Sequence, residues 1–272
     1  MRITALLENT TATPAVRARH GLSLYIETAR HKLLFDLGPD GTFADNAARL
    51  GIDLRAVDTV ILSHGHRDHG GGLARFLSEN DTAKIYLRPA ALDPHYIRVC
   101  GIPIPVSIDA SLVAGDRFMP TDGVTVIDEE LTVFSDVGQA FPLPASDRKL
   151  WRRDGKLAPD DFAHEQSLLL TEEGKTTLLC GCSHAGIVNI TRRAYALAGG
   201  AVDTVIGGFH LYNPPTRRYE SRAYIGAVAA ALRETGSTFY TCHCTGERAL
   251  RQMQPTLGDR LHALSTGETL ML

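Results

Sequence analysis

Ser63-His64-Gly65-His66-Arg67-Asp68-His69-Gly70-Gly71-Gly72 places three histidines and an aspartate within six positions. Borderline-soft divalent ions such as zinc are held by imidazole nitrogens and carboxylate oxygens, and a cluster this dense points to a metal. His64 and His66, one residue apart on an extended segment, point to the same side. The backbone can turn into a helix beyond them, so Asp68 and His69 need not share one direction. One short stretch can therefore feed two adjacent metal positions. The chain must fold so that this stretch meets further ligands from elsewhere.

With 272 residues, 44% of them hydrophobic, the chain has ample material for a sizeable core. A net charge of −3 gives no overall basic field, so neither a nucleic-acid partner nor a membrane surface is expected. Met1–Thr10 meets a glutamate after only two leucines, too soon for a signal-peptide core, and no run approaches spanning length. The five cysteines, Cys100, Cys180, Cys182, Cys242 and Cys244, do not form a secreted disulfide framework. The expected location is the cytoplasm. No break in composition divides the chain, so 1–272 reads as one domain with an irregular elaboration at about 88–163.

Ile3–Leu7, Leu22–Glu27 and Lys32–Phe35 read as an antiparallel meander, and Phe43–Leu50 as a helix stopped by Gly51. Val57–Leu62 leads into the histidine stretch. The three glycines and Leu73–Leu77 look like a helix start that lets the backbone approach something closely. Seven of the thirteen prolines lie between Pro89 and Pro144, so that region reads as an elaboration folded over one end, too long for a bare loop. Within it, Asp147–Lys156 gathers positive charge around Trp151; a solvated loop is the simpler reading, an anion-binding lid the other. Ser167–Leu170 and Thr176–Cys180 form a hairpin. Helices are expected over Ile187–Leu197, Tyr219–Leu232 and Glu247–Met253. Strands are expected over Thr204–Ile206, Thr238–Thr241 and Leu261–Leu264.

One punctuation recurs. Val60–His64, Leu178–His184, Val205–His210 and Phe239–His243 each run from a buried-strand signature into a histidine. Ligand sites in layered α/β proteins gather where strands end, so these four histidines should meet at one edge. A lone strand-end histidine is more often structural; four beside the cluster are not so easily dismissed. His31, His95 and His262 read as surface or core residues, and His20 and His164 have no assignment. A rival is a structural zinc site made by the two Cys-x-Cys pairs, although paired zinc cysteines usually stand at least two residues apart.

Ser63–His69 resembles the His-x-His-x-Asp-His signature of the metallo-β-lactamase superfamily. Glu8-Asn9-Thr10, His20-Gly21-Leu22-Ser23, Phe35-Asp36-Leu37-Gly38, Gly181–Ile187, Gly207–His210 and His243–Gly246 look like the branch named after a dihydropterin–ribofuranosylaminobenzene 5′-phosphate synthase. The resemblance spans nearly the whole chain and is weakest in the middle elaboration. It implies an α/β fold, a four-layer αββα sandwich, with two divalent metal ions at one edge: zinc first, manganese or iron as alternatives. His64 and His66 would bind the first ion with a third histidine, and Asp68 and His69 the second with His243. Gly181-Cys182-Ser183-His184 replaces the usual glycine-aspartate ending, so the resemblance leaves His164 or His184 as the third ligand and Cys182 or His184 for the bridging place; His184 is favoured for its glycine-flanked strand end, with His164, Cys182 and His210 in reserve.

The implied activity is a metal-dependent hydrolase, or a related transferase, using a metal-activated hydroxide on a small anionic substrate such as a phosphate ester or pterin phosphate. Asp68 would also orient the nucleophile, and His210 would serve as a catalytic proton donor. The alternatives are a di-iron redox protein and a non-catalytic metal-containing binding protein.

Overall fold

The structure is a computed structural model describing residues 1–272. Two seven-stranded sheets dominate it. The first runs Thr269–Met271, Arg2–Leu7, Ser23–Glu27, Lys32–Phe35, Thr59–Ile61, Lys84–Leu87 and Phe118–Pro120. The second runs Leu261–Ala263, Thr238–Thr241, Thr204–Gly207, Lys175–Leu179, Ser167–Glu172, Leu131–Phe134 and Val124–Val126. In each sheet an antiparallel half gives way to a parallel half.

Strand alternation explains the layering, because successive side chains leave a strand on opposite faces. Ile3, Leu24, Ile26, Leu33, Phe35 and Ile61 pack against Leu168, Leu170, Leu179 and Ile206 between the sheets. Their neighbours Leu6, Tyr25, Leu34 and Val60 face outward onto Phe43, Ala47, Leu73 and Phe76. Those residues belong to helices α1 (Thr42–Arg49) and α3 (Leu73–Glu79), with the single turn α2 (Arg67–Gly70) between them in sequence. On the far side Leu178, Val205 and Phe239 meet α4 (Ile187–Ala198), α5 (Arg222–Arg233) and α6 (Glu247–Leu257). The order is helix, sheet, sheet, helix, so the expected four-layer αββα sandwich is present. Central strands buried on both faces read as near-continuous apolar runs, which is why they were visible in the sequence.

The expected meander, hairpin and strand endings are in place. The hairpin turns through Glu173 and Gly174, both at positive φ (50° and 77°), as a two-residue hairpin turn requires. Three of the element expectations need correction. Helix α5 starts at Arg222, not Tyr219, because Ser221 caps it by accepting from the Tyr224 N–H at 3.1 Å, while Arg218–Tyr219 forms a small ladder with Tyr212–Asn213. Helix α6 continues past Met253 to Leu257. Thr269–Met271 is a further strand, pairing with the N-terminal one.

The elaboration is largely strand. Parts of it supply edges of both main sheets. The rest builds a four-stranded antiparallel sheet from Lys156–Pro159, Leu150–Asp154, His95–Val99 and Ile102–Pro105. Trp151 therefore lies on a strand, not in a solvated loop, with the Arg98 guanidinium 4.2 Å above its ring. Gly71 and Gly72 do permit a close approach, and the partner is the chain itself. A Cβ at either position would lie 2.2 Å from the carbonyl oxygen of Pro39 or Leu37.

Candidate metal centre

His64, His184, His210 and His243 follow the C-terminal ends of four strands, three of which, Lys175–Leu179, Thr204–Gly207 and Thr238–Thr241, are successive parallel neighbours, and all four side chains reach one edge. Room there is minimal: a Cβ on Gly181 would lie 2.1 Å from Ser63 Oγ, and one on Gly65 2.5 Å from the Ala91 carbonyl oxygen. Eight residues other than glycine have positive φ, and four of them, Asp36, Ser183, His210 and His243, sit at this edge. Backbone in that region is costly and persists where surrounding contacts over-determine it.

His64, His66 and His184 converge, with ligand atoms within 4.8 Å of one another, and each leaves a buried Nε2 without a hydrogen-bond partner. Burial and the neighbouring imidazoles hold all three well below the usual histidine pKa, so they are neutral and carry a free lone pair. Three orphaned buried acceptors aimed at one point fit a cation.

Asp68, His69 and His243 meet beside them. His69 Nε2 lies 3.1 Å from His243 Nε2, and Asp68 Oδ2 lies 3.4 Å from His243 Nε2 and 3.9 Å from His69 Nε2. Although burial opposes its charge, His69 is raised to about 9 by the carboxylates of Asp36 and Asp68. Cys182 Sγ is 3.2 Å from His69 Nε2. His20, unassigned from sequence, reaches Asp68 Oδ2 at 3.2 Å.

The two reserve histidines fare differently. His164 is held from one side: its Nδ1 accepts from the Gly65 N–H at 3.0 Å, while its buried Nε2 makes no hydrogen bond and faces Asp160 at 3.3 Å, in a group with His66 and His95. It buttresses the histidine stretch together with buried His95, which also reaches Asp160 at 3.0 Å. His210 Nε2 stands 3.1 Å from Asp147 Oδ1, which is itself 2.8 Å from His184 Nδ1. Burial pushes the Asp147 carboxyl up to about 8, and against burial Asp147 raises His210 to about 9. His31 and His262 lie elsewhere, His31 between Asp58 and Asp128 and His262 stacked on Tyr240.

Several residues here carried no role in the sequence reading. Asp36 accepts from the Ser63 N–H and Oγ–H at 2.7 Å each and from His69 Nδ1 at 2.6 Å, while Ser63 Oγ also touches His64 Nδ1 at 2.8 Å. Glu8 accepts from the His243 N–H, and Asn9 Oδ1 lies 3.1 Å from His243 Nδ1. Glu165 accepts from the N–H groups of His184 and Ala185, and burial pushes its carboxyl up to about 7. The motifs around Glu8 and Asp36 were visible as resemblance, whereas nothing local marked Asp147. The four-cysteine zinc site does not form. Cys180 packs in the helix-facing core and Cys242 between the sheets, on opposite faces of one sheet, and only Cys182 and Cys244 reach this edge.

A cavity of about 490 Å³ opens onto the cluster. Ile97, Val106 and Leu150 line it, and Arg67 is its only side chain of fixed positive charge.

A sequence profile described as "metallo-beta-lactamase superfamily" matches residues 16–182. The chain is 26% identical, over 93% of its length and 90% of the relative's, to the 7,8-dihydropterin-6-methyl-4-(beta-D-ribofuranosyl)-aminobenzene-5′-phosphate synthase of Methanocaldococcus jannaschii. An uncharacterised protein of the same organism is 27% identical over 91% of this chain and 92% of its own. Among solved structures, one described as a metal-dependent hydrolase of the β-lactamase superfamily superposes with a TM-score of 0.86, at 28% identity, covering 100% of this chain and 99% of that one.

Proposed function

The chain belongs to the metallo-β-lactamase superfamily, and on that premise we propose that it is a metal-dependent hydrolase, or a transferase of related chemistry, acting on a small anionic substrate. The observation that carries this reading is the convergence of three orphaned imidazole Nε2 atoms beside a second group of donors. His64, His66 and His184 would hold one divalent ion, and Asp68, His69 and His243 the other. Such a pair, when bound, polarises a phosphoryl or carbonyl oxygen and lowers the pKa of water toward neutrality.

The chain's own groups divide the remaining work. Arg67 meets the negative charge of the substrate at the cavity wall. Ile97, Val106 and Leu150 keep water from the reacting atoms. His210, 3.1 Å from the Asp147 carboxylate, would present a proton to the leaving group. Similarity to the synthase makes a phosphate ester or pterin phosphate the first substrate class to try. Zinc is the first metal to try, because three imidazoles suit it. The unpaired cysteines fit a cytoplasmic location.

His66→Ala and Asp68→Ala are each expected to lower bound metal and to abolish turnover in a screen against phosphodiesters, pyrophosphates, lactones, thioesters and pterin phosphates. Metal content is read by elemental analysis. Undiminished turnover in either variant would sink the mechanism.

A further inference from the structure

One wall of the cavity continues past its mouth. Val106 extends the strand Ile102–Pro105, its N–H donating to the His95 carbonyl oxygen at 2.9 Å. Side chains alternate along a strand, so Val106, Ile104 and Ile102 share one face. On the neighbouring strand Ile97 stands opposite Ile104 and Val99 opposite Ile102, and Leu150 stands opposite Ile97 on the strand beyond. Ile97, Val106 and Leu150 line the cavity. Ile104 and Ile102, 45% and 66% exposed, carry the same apolar face out into solvent, to about 13 Å from Val106 at the rise of a strand. The inner end of this strip is fixed to the cationic part of the cavity, because the Val106 carbonyl oxygen accepts from the Arg67 N–H at 2.7 Å.

Two other occupants fit poorly. Cys100 and Gly101, at positive φ (51° and 82°), make a two-residue turn, so Val99 with Ile102 and Ile97 with Ile104 are the hydrogen-bonded pairs. The N–H groups of both isoleucines therefore point inward, and the outward positions are Pro103 and Pro105, which have none. An added strand would find acceptors without donors. A second copy of the chain would find two isoleucines and a half-buried valine, far less than the roughly 800 Å² per partner of a stable interface.

We propose that this strip seats an unbranched alkyl or acyl chain, so that the substrate is an amphiphile, its anionic head at Arg67 and the metal centre and its tail along Val106, Ile104 and Ile102. The proposal deepens the hydrolase reading above and rests on it. Apolar residues scattered singly over a surface are ordinary, whereas this row begins inside the cavity.

The test uses the full chain loaded with zinc and measures, by calorimetry, its binding of n-alkylphosphonates from methyl to octyl. Methylphosphonate is expected to bind at the metal centre, and affinity to rise about two- to fourfold with each added methylene until the chain passes Ile102. In the double variant Ile102→Ser with Ile104→Ser, both changes on exposed side chains, metal content and methylphosphonate affinity should be unchanged while the gain over the longer chains is lost. Affinity independent of chain length in the unaltered protein would overturn the strip and leave the metal centre standing. A gain that the double variant keeps would overturn the assignment to Ile102 and Ile104. Self-association of the unaltered chain that the double variant abolishes, read by sedimentation, would give this face to a second copy and overturn the proposal. A chain that holds zinc and binds no phosphonate would remove the anionic-substrate reading and the tail with it.

Discussion

Four imidazoles at the candidate centre are each held through Nδ1: His64 by Ser63, His69 by Asp36, His184 by Asp147 and His243 by Asn9. This fixes ring orientation and leaves Nε2 facing inward, the arrangement in which outer partners tune a metal ligand. Asp36 serves two of the four, directly or through Ser63. Asp36→Ala is therefore expected to weaken metal binding by about 10–100-fold, read by competition against a chelator; an unchanged affinity would remove Asp36 from the support of the centre. His184→Ala should lose one equivalent of metal, and His164→Gln should keep both, since His164 Nδ1 is taken up by the Gly65 N–H and its Nε2 faces Asp160. The histidines stood out in the sequence because the cluster and the strand endings are local patterns. Asp36 and Asp147 did not show their roles, because a lone carboxylate gains meaning only from partners 33 and 37 residues away.

At the scale of elements, the core strands were legible because burial on both faces leaves an apolar run bounded by turn residues. The four-stranded sheet of the elaboration was not. Its edge strand Ile102–Pro105 is exposed and alternates isoleucine with proline, and a proline can sit in a strand only where its missing N–H is not needed by a neighbour. The sequence shows the prolines; only the fold shows that they lie on an edge. A different element contact carries a pH effect. His31, in the turn between two strands of the first sheet, reaches Asp58 at 2.9 Å and Asp128, from the turn preceding Leu131–Phe134 of the second sheet, at 2.6 Å. Against the cost of burial, these carboxylates raise its pKa above the ordinary value of about 6.5. A raised folded-state pKa gives stability that is full below the unfolded value and is lost as pH rises through the folded one. Thermal melts should accordingly show His31→Gln destabilised most on the acidic side of neutrality, the difference shrinking as pH increases. A difference independent of pH would mean that His31 contributes packing alone.

In the whole molecule, the first sheet is completed by strands from opposite ends of the sequence, Arg2–Leu7 beside Thr269–Met271. Thr266 Oγ1 accepts from the Glu8 N–H at 2.8 Å and donates to the Glu8 carbonyl oxygen at 3.2 Å, while the Glu8 carboxylate receives the His243 N–H at 3.1 Å. Thr266→Val keeps the shape and strands two buried polar groups, so a loss of about 1–3 kcal/mol in denaturant unfolding is expected; a neutral outcome would show that Glu8 finds other partners. That closure also bears on how the protein is made. His69 and His243 touch across 174 residues of sequence, so at ordinary translation speeds the first half of the centre leaves the ribosome on the order of ten seconds or more before the second. Until then the nascent chain displays a dense chelating cluster with no enclosing shell. On the proposed two-metal reading, the full set of donors exists only once His243 has emerged.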